Sequence, residues 1–540
     1  GICPHSIFAM PLSRGHILTL LSRQWYATTR VGVRSLSTSA PSLPSSSSSS
    51  SSSPSLSVSG FHAGGESLRG QEVVVRGWLR SARVQKSFAF LEVLDGSSVK
   101  GVQVVVDADI LRDAGQSWVE KQARTASTTI SQAGDDLDRD DFNIKSILGT
   151  GSSIEVVGKV VESQGKSQGS EIAATHLNVV GECPPTGYPL QKKRHTTEFL
   201  RSILHLRHRT LYNSSVARIR HRLMSSIHTF FDNEEFLHVH SPILTSSDCE
   251  GAGELFKVTT TDGKPFFDKD TYLSVSGQLH AEAMMSGLSK VYTFGPTFRA
   301  ENSNTGRHLA EFTMVEPELA FADVQDVMGL AERMIKASLS AVLDRCADDV
   351  RKVVEVKAFE EKDKSVSADT HLEKLESYTK ANFERMTLEE AVAVLKPHNK
   401  HFEEAVTEET FGTEHEKFLA GTVVDGPVFV YNYPKGEKPF YGKQNDDGKT
   451  VAMFDMLVPE VGELIGGGQR EDRLDALLDA LKAKGVDPSL YEWYVDLRRF
   501  GSVPHGGYGL GFERMVQFVC KGINIRDTVP FPRYPGHCPF

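Results

Sequence analysis

Between Ser276 and Glu318 the chain reads SGQLHAEAMMSGLSKVYTFGPTFRAENSNTGRHLAEFTMVEPE, a stretch rich in residues that can handle phosphate. Arg299 ends a strand-like run from Phe294 and Glu301 follows it. Arg307 and His308 lie in a polar, Gly-containing loop, and Glu311, Glu316 and Glu318 accompany a second strand-like run, Phe312 to Val315. Two antiparallel strands joined by a long polar loop form a hairpin whose loop does not serve packing alone. Arginine grips phosphate or carboxylate bidentately, and a ring such as Phe312 can stack on a purine. Farther on, VPEVGELIGGGQRE sets Glu460 and Glu463 beside a glycine run, two carboxylates that could face a hard cation such as Mg²⁺ and share it with phosphate. GGYGLGFER then passes from a strand into an apolar-patterned helix, with Arg514 at the helix start and small residues that let backbone approach a nucleotide. The Walker A pattern is absent, and GYGLG lacks the spacing and βαβ context of a dinucleotide fingerprint. On residue types alone, a salt-bridged hairpin and surface acids are the alternatives.

The elements that must position these groups are legible in outline. At 540 residues the chain has room for two or three domains, and no apolar run of about 18 residues suggests a membrane span. The six cysteines show no CxxC spacing, so reduced thiols are expected rather than a zinc site or disulfide framework. A net charge of −10 argues against a generally basic nucleic-acid binder while leaving room for a local basic surface. Residues 1–65 hold four arginines (Arg14, Arg23, Arg30, Arg34), no lysine and no acid, and they include the serine tract Ser45 to Ser53. That composition predicts an organellar transit peptide with a disordered Ser-rich segment, with Met10 a candidate start. Residues 66–183 offer five short strand-like runs with turn signals such as Asp95-Gly96, which predicts an OB-type β-barrel; the acidic stretch from Asp135 to Asp141 reads as a loop insertion. Residues 184–210 form a basic hinge, where Lys192, Lys193, Arg194, Arg201, Arg207 and Arg209 predict a surface for nucleic-acid phosphates. Ser214 to Phe236 repeats apolar residues at helical spacing and runs into a strand ending at Pro242. A helix follows from about residue 322, and the acidic, mixed segment at about 345–420 reads as an insertion on the core.

FRAEN, HLAEF and EPE together closely resemble motif 2 of the class II aminoacyl-tRNA synthetases, in the form found in the asparaginyl-tRNA synthetase family. The helix, strand and Pro242 resemble motif 1, and GLGFER with NIRD and FPR resembles motif 3. RGWLRSARVQKS and FLEVLDGS are similar to the anticodon-binding domain of the class IIb members, while SSDCEGAGELF and VGELIGGGQRE fit the asparaginyl words. The resemblance spans roughly residues 66–540. It implies an α+β architecture, with the OB-type barrel followed by a catalytic domain, 211–540, built on an antiparallel sheet flanked by helices. It implies ATP and Mg²⁺ as cofactors, tRNA(Asn) and L-asparagine as partners, a homodimer through the motif 1 helix, no membrane association and, with the leader, a mitochondrial matrix location (plastid or an additional cytosolic form being alternatives).

By the same resemblance Arg299 binds the α-phosphate and the amino-acid carboxylate. Glu301 orients the adenine or ribose end, Phe312 stacks adenine, and Arg307 with His308 holds the bent triphosphate. Arg514 grips the γ-phosphate, and Glu463 with Glu460 carries Mg²⁺. Glu250 meets the substrate ammonium, Ser276, Gln278 and Arg499 complete the asparagine site, and Phe90 and Gln103 read anticodon bases. Aspartyl enzymes carry a lysine in the corresponding QSPQLYKQ-type word. Here, in VSGQLHAEA, Ala281 falls at that position with Glu282 next to it. Losing a cation and gaining a nearby anion disfavours aspartate and spares a neutral amide. The competitors are an aspartyl or non-discriminating aspartyl/asparaginyl enzyme, an ammonia-dependent asparagine synthetase and a non-catalytic tRNA-binding paralogue.

Overall fold

The computed structural model describes residues 53–127, 144, 147–165, 168–191, 193–246, 255–363 and 365–540. The expected leader through residue 52, the acidic loop around Asp135 to Asp141, Lys192 and Glu250 lie outside the described residues. Residues 53–65, assigned to the leader from composition, instead join the first folded unit. β1 (Ser55–Leu56) adds in parallel to β2 (Glu72–Val84), and a helix at Val58–Gly64, capped by the Ser57 side chain, buries Val58 and Phe61 in the barrel core. A serine-rich composition conceals the two apolar residues that find that core.

β2, β3 (Phe88–Leu94), β4 (Val102–Asp107), β5 (Ser153–Glu162) and β6 (Ser170–Gly181) close on themselves, β2 pairing with both β3 and β5 and β4 running parallel to β6. This is the expected five-stranded OB-like barrel. Alternation decides its inside: Ala89, Leu91 and Val93 of β3 and Val102, Val104 and Val106 of β4 are buried. Each such Val or Leu contributes about 1.5–3 kcal/mol over an exposed counterpart. Phe90 and Gln103 fall on the opposite parity and share the outer face, Phe90 opposite Val105 and Gln103 opposite Glu92. A helix at Ala108–Ser127, unforeseen from sequence, buries Leu111, Ala114 and Trp118 against the same core.

The basic hinge is structural in part. Arg207 is wholly buried and donates to Asp527 and to the carbonyls of Arg526, Val529 and Pro530, while Arg201 grips Asp527 bidentately at 2.9 and 2.6 Å. Two of the arginines expected to face nucleic acid therefore anchor the C-terminal segment. Arg194 lies over the Phe359 ring at 4.1 Å. A run of positive charge does not itself reveal which members have an acidic partner hundreds of residues away.

The catalytic domain is an eight-stranded sheet. Its strands are β7 (Leu237–His238), β11 (Lys290–Phe298), β12 (Glu311–Ala320), β13 (Glu384–Thr387), β14 (Val428–Pro434), β15 (Thr450–Val458), β16 (Gly462–Gln469) and β17 (His505–Gly511). Their order is β13-β14-β15-β16-β17-β12-β11-β7, antiparallel except at the two edges. A small sheet of β8 (Leu244–Thr245), β9 (Lys257–Val258) and β10 (Thr271–Leu273) precedes the hairpin. The helix Leu211–Asn233 buries Val216, Ile219, Leu223, Ile227, Phe230 and Phe231, packing on the long helix Val324–Glu361. The apolar stripe of this helix is thus covered by the chain itself. Within the segment at 345–420, β13 is an edge of the catalytic sheet, and the helix Thr413–Phe418 reaches the site. Cys183, Cys346, Cys520 and Cys538 are free thiols, as expected. Among the described residues no helix is long and apolar enough to cross a membrane.

Candidate active site

The hairpin expected around the polar loop is present, β11 and β12 pairing from Lys290↔Leu319 to Phe298↔Glu311. Its turn brings the predicted phosphate-handling groups together. Arg299 lies with its guanidinium 5.4 Å from the Phe312 ring centre. His308 Nδ1 lies 2.7 Å from the Thr305 hydroxyl and 3.0 Å from that of Ser303, with Glu301 4.0 Å from Nε2. Burial lowers the His308 pKa; Glu301 opposes, and Arg514, Arg307 and Arg299 reinforce the shift, so these groups share one field. Arg514, near the start of the helix Phe512–Val519, donates to the Glu463 carbonyl at 2.9 Å and to its carboxylate at 3.1 Å. β17 can reach this position only because Gly507 lacks a side chain: a Cβ there would sit 2.2 Å from the Pro317 carbonyl oxygen.

Glu460 does not join Glu463. It occupies the turn between β15 and β16 at φ +70° and pairs with Lys521, beyond the helix that carries Arg514. The second carboxylate beside Glu463 is Asp455 of β15, which sequence reading passed over. A Cβ placed on Gly466 would lie 3.1 Å from Glu463 Oε1 and 3.4 Å from Asp455 Oδ1, so both side chains converge over that glycine. Both acids stand in FDMLVPEVGE, but strict alternation would set them on opposite faces; only the bulge at Leu464, where Met456 pairs with Ile465 and Leu457 with Glu463, brings them to one face.

Glu416 was also missed. It accepts from the Glu463 backbone N–H at 3.2 Å, and Arg307 donates to Thr413 on the same short helix at 2.7 Å. Burial, with Glu463 and Asp455 adding, pushes the Glu416 carboxyl up to about 7. The folded state therefore holds an extra proton between about pH 4.5 and 7 and loses stability as pH rises through that window. Glu416→Gln, which stands in for the protonated form, is expected to match the parent at pH 4 and exceed its stability at pH 8 in urea titrations.

The second part of the site is a buried ionic network on the helix Gln278–Leu288. Glu282, fully buried, receives Gln278 at 3.0 Å, Tyr494 at 2.8 Å, Arg498 at 2.9 Å and His505 at 3.1 Å. Burial alone would raise its pKa, but Arg498, His505 and Arg470 hold it well below the usual carboxylate range. Ser276 donates to Glu316, which also receives Gly277 N–H at 2.9 Å and Thr293 at 3.0 Å. Arg470 grips Glu318 bidentately, and burial with the Glu282 charge pushes Glu318 up to about 7 against that cation. Ser276 and Gln278 thus each hold a buried carboxylate, Ser276 that of Glu316 and Gln278 that of Glu282.

Arg499 does not. It is exposed and pairs with Glu492 and Asp496 of its own helix, whereas its neighbour Arg498 is the buried member. On a helix adjacent residues point about 100° apart, so choosing the wrong arginine of LRRFG places the charge outside the site. Ala281 is fully buried against Val239, Met285 and Val291; the residue of this word that projects into the network is Glu282. In the barrel, Gln103 donates to Glu171 at 2.8 Å, and Phe90 meets Phe88 edge-on at 5.1 Å.

The description "tRNA synthetases class II (D, K and N)" matches residues 196–535. An asparagine–tRNA ligase of Protochlamydia amoebophila is 45% identical over 492 residues, covering 88% of this chain and 97% of its own. One from Synechocystis is 45% identical over 483 residues, covering 87% and 96%. The crystal structure of asparaginyl-tRNA synthetase from Pyrococcus horikoshii complexed with asparaginyl-adenylate superimposes with a TM-score of 0.72 at 32% identity, covering 88% of this chain and 97% of that one. The chain belongs to the asparagine–tRNA ligase family. It is a class II aminoacyl-tRNA synthetase.

The residues present fit a Mg²⁺ ion in part. Asp455 and Glu463 offer hard oxygen donors converging over Gly466, with Lys438 2.7 Å from Asp455 and Arg514 on Glu463. Among the described residues no group of three or more His, Cys, Asp or Glu is arranged to hold a metal unaided. A cation at this pair would need phosphate oxygens to complete its coordination.

Proposed function

We propose that this enzyme joins L-asparagine to tRNA(Asn) in organellar translation, using ATP and Mg²⁺. The observation that carries the choice of asparagine is Arg498. One terminal nitrogen is locked on Glu282 while the other, Nη1, is buried with no acceptor among the described residues. An unpaired buried donor costs about 1–3 kcal/mol, which a substrate carbonyl oxygen would relieve. The anionic Glu282 behind it disfavours a side-chain carboxylate and tolerates an amide.

In this reading the substrate carboxylate attacks the ATP α-phosphorus in line, and the tRNA terminal ribose hydroxyl then takes the aminoacyl group. Arg299 neutralises charge moving between carboxylate and α-phosphate; Phe312 packs the adenine, with Glu301 at its ribose end. Arg307, His308 and Arg514 hold the triphosphate. Mg²⁺ at Asp455 and Glu463 would supply further neutralisation of the leaving pyrophosphate. No general base is required, since the adenylate phosphate can accept the ribose proton. Positioning and preorganised charge do the catalysis.

The outer barrel face with Phe90 and Gln103 supports anticodon binding. Exposed Leu237 on β7, with Ile243 and Leu244 exposed in the segment that follows it, supports a homodimer through the motif 1 region. The Arg-rich, acid-free leader supports a mitochondrial location, plastid import being the alternative.

The test is amino-acid-dependent ATP–pyrophosphate exchange on residues 53–540, with asparagine and aspartate side by side. Exchange with asparagine alone is expected. Exchange with aspartate as well would make the enzyme non-discriminating and overturn the role given to Glu282 and Arg498.

A further inference from the structure

The barrel and the catalytic domain meet at the loop between β3 and β4. Its turn, Asp95-Gly96, takes a positive φ of 85° at Gly96, and the Gly96 carbonyl accepts from Arg218 Nη1 at 2.7 Å. Arg218 belongs to the helix Leu211–Asn233, and its remaining nitrogens bind Asp349 at 2.7 and 3.1 Å. Asp349 follows a break in the long helix at Cys346 (φ −131°, ψ 17°), whose thiol reaches back to the Arg218 carbonyl at 3.9 Å. A second contact holds the same loop: Lys100 pairs with Asp348 at 2.9 Å. The loop so gripped joins the two strands that carry Phe90 and Gln103.

Arg220 lies two residues along the same helix, so its side chain points about 200° away from that of Arg218. It meets the site instead. Arg220 binds Thr313 at 3.2 Å and Glu513 at 2.8 Å and lies over the Phe512 ring at 4.7 Å. Glu513 in turn accepts the Thr313 backbone N–H at 2.9 Å. Thr313 follows Phe312, and Glu513 precedes Arg514. One rigid helix therefore touches the barrel loop on one side and both arms of the ATP site on the other.

We propose that Arg218 and Arg220 form a relay that makes anticodon occupancy of the barrel felt at the ATP site, with Arg218 as the positioning residue. This rests on the reading of the barrel as the anticodon-binding domain. Displacement of β3 and β4 by bound bases moves the Gly96 carbonyl, Arg218 transmits that movement to the helix, and Arg220 alters the seating of Phe312 and Arg514. Packed side chains and a rigid element with two seatings are what such coupling requires.

The test compares charging of cognate tRNA with charging of a tRNA altered at one anticodon base. Arg218→Gln combined with Asp349→Asn removes the contact without leaving a lone buried charge. It is expected to leave asparagine-dependent pyrophosphate exchange unchanged, to lower kcat for cognate tRNA about tenfold, and to erase the kcat difference between the two tRNAs. Lys100→Asp and Asp348→Lys, both on the surface, should each weaken that difference, and together restore it. Full retention of the kcat difference in the Arg218 variant, or failure of the charge exchange to restore it, would overturn the relay. A parent enzyme whose charging, in both kcat and KM, ignores the altered anticodon would overturn the reading of the barrel itself.

Discussion

Replacing Arg498 by alanine is expected to abolish asparagine-dependent pyrophosphate exchange, whereas Arg499→Ala should stay close to the parent. Arg498 is buried and donates to Glu282, Tyr494 lies beside it, and its free nitrogen has no acceptor among the described residues. Removing it leaves Glu282 buried without its main cation, a loss of about 3–5 kcal/mol in stability. It also removes a preorganised donor, worth about 10²–10³ in turnover at sites of this kind. Arg498→Lys separates the two effects: it keeps the charge, and hence much of the stability, but not the planar fork. Urea midpoints and exchange rates should therefore diverge for the lysine variant and fall together for alanine. Arg499 only bridges Glu492 and Asp496 on an exposed helix face, contacts worth about 0–1 kcal/mol. Equal losses for Arg498→Ala and Arg499→Ala would refute this assignment.

The second large effect is expected at Asp455. Asp455→Asn should raise the Mg²⁺ concentration for half-maximal exchange by at least about tenfold, since even supporting partners of a metal site carry about 10–100-fold in affinity. Glu463→Gln should do the same and additionally loosen Arg514, which binds that carboxylate. Glu460→Gln should leave the Mg²⁺ dependence unaltered, because Glu460 is occupied by Lys521 in a turn outside the site. A Mg²⁺ titration of the three variants decides between the two carboxylate pairs. A shift confined to Glu460→Gln would return the metal to the pair read from sequence.

Much of the architecture was visible in residue patterns. Two-residue alternation disclosed the barrel strands, and the hairpin emerged where Phe294 to Arg299 and Phe312 to Val315 placed it, though each strand runs longer. The conspicuous charged words also converged, from Arg299 through Arg307 and His308 to Glu463 and Arg514. What escaped was whatever depends on direction rather than type. LRRFG contains two arginines, and only the helix phase tells which is buried. Two acids three apart looked like a pair, yet the bulge in β16 brings Asp455 to Glu463 and the turn sends Glu460 away. Glu416 sat in a stretch with no recognisable pattern, and only tertiary packing gives it neighbours. The hinge arginines misled for the same reason: Asp527, their partner, is hundreds of residues distant.

The position of β17 bears on how the protein is made. This strand is the last of the sheet in sequence, yet it lies between β16 and β12, near the middle of the ladder. While the chain emerges from the ribosome, the β11–β12 hairpin and the β14–β16 meander are two half-sheets, each showing an unpaired edge to solvent. Asp527, which satisfies the buried Arg207, arrives later still. The barrel can mature early, but the catalytic half must wait for β17 before its centre can zip closed. Nascent chains stalled before residue 505 should therefore bind chaperones and resist release, and the enzyme gains its ATP site only once β17 and Arg514 have been made.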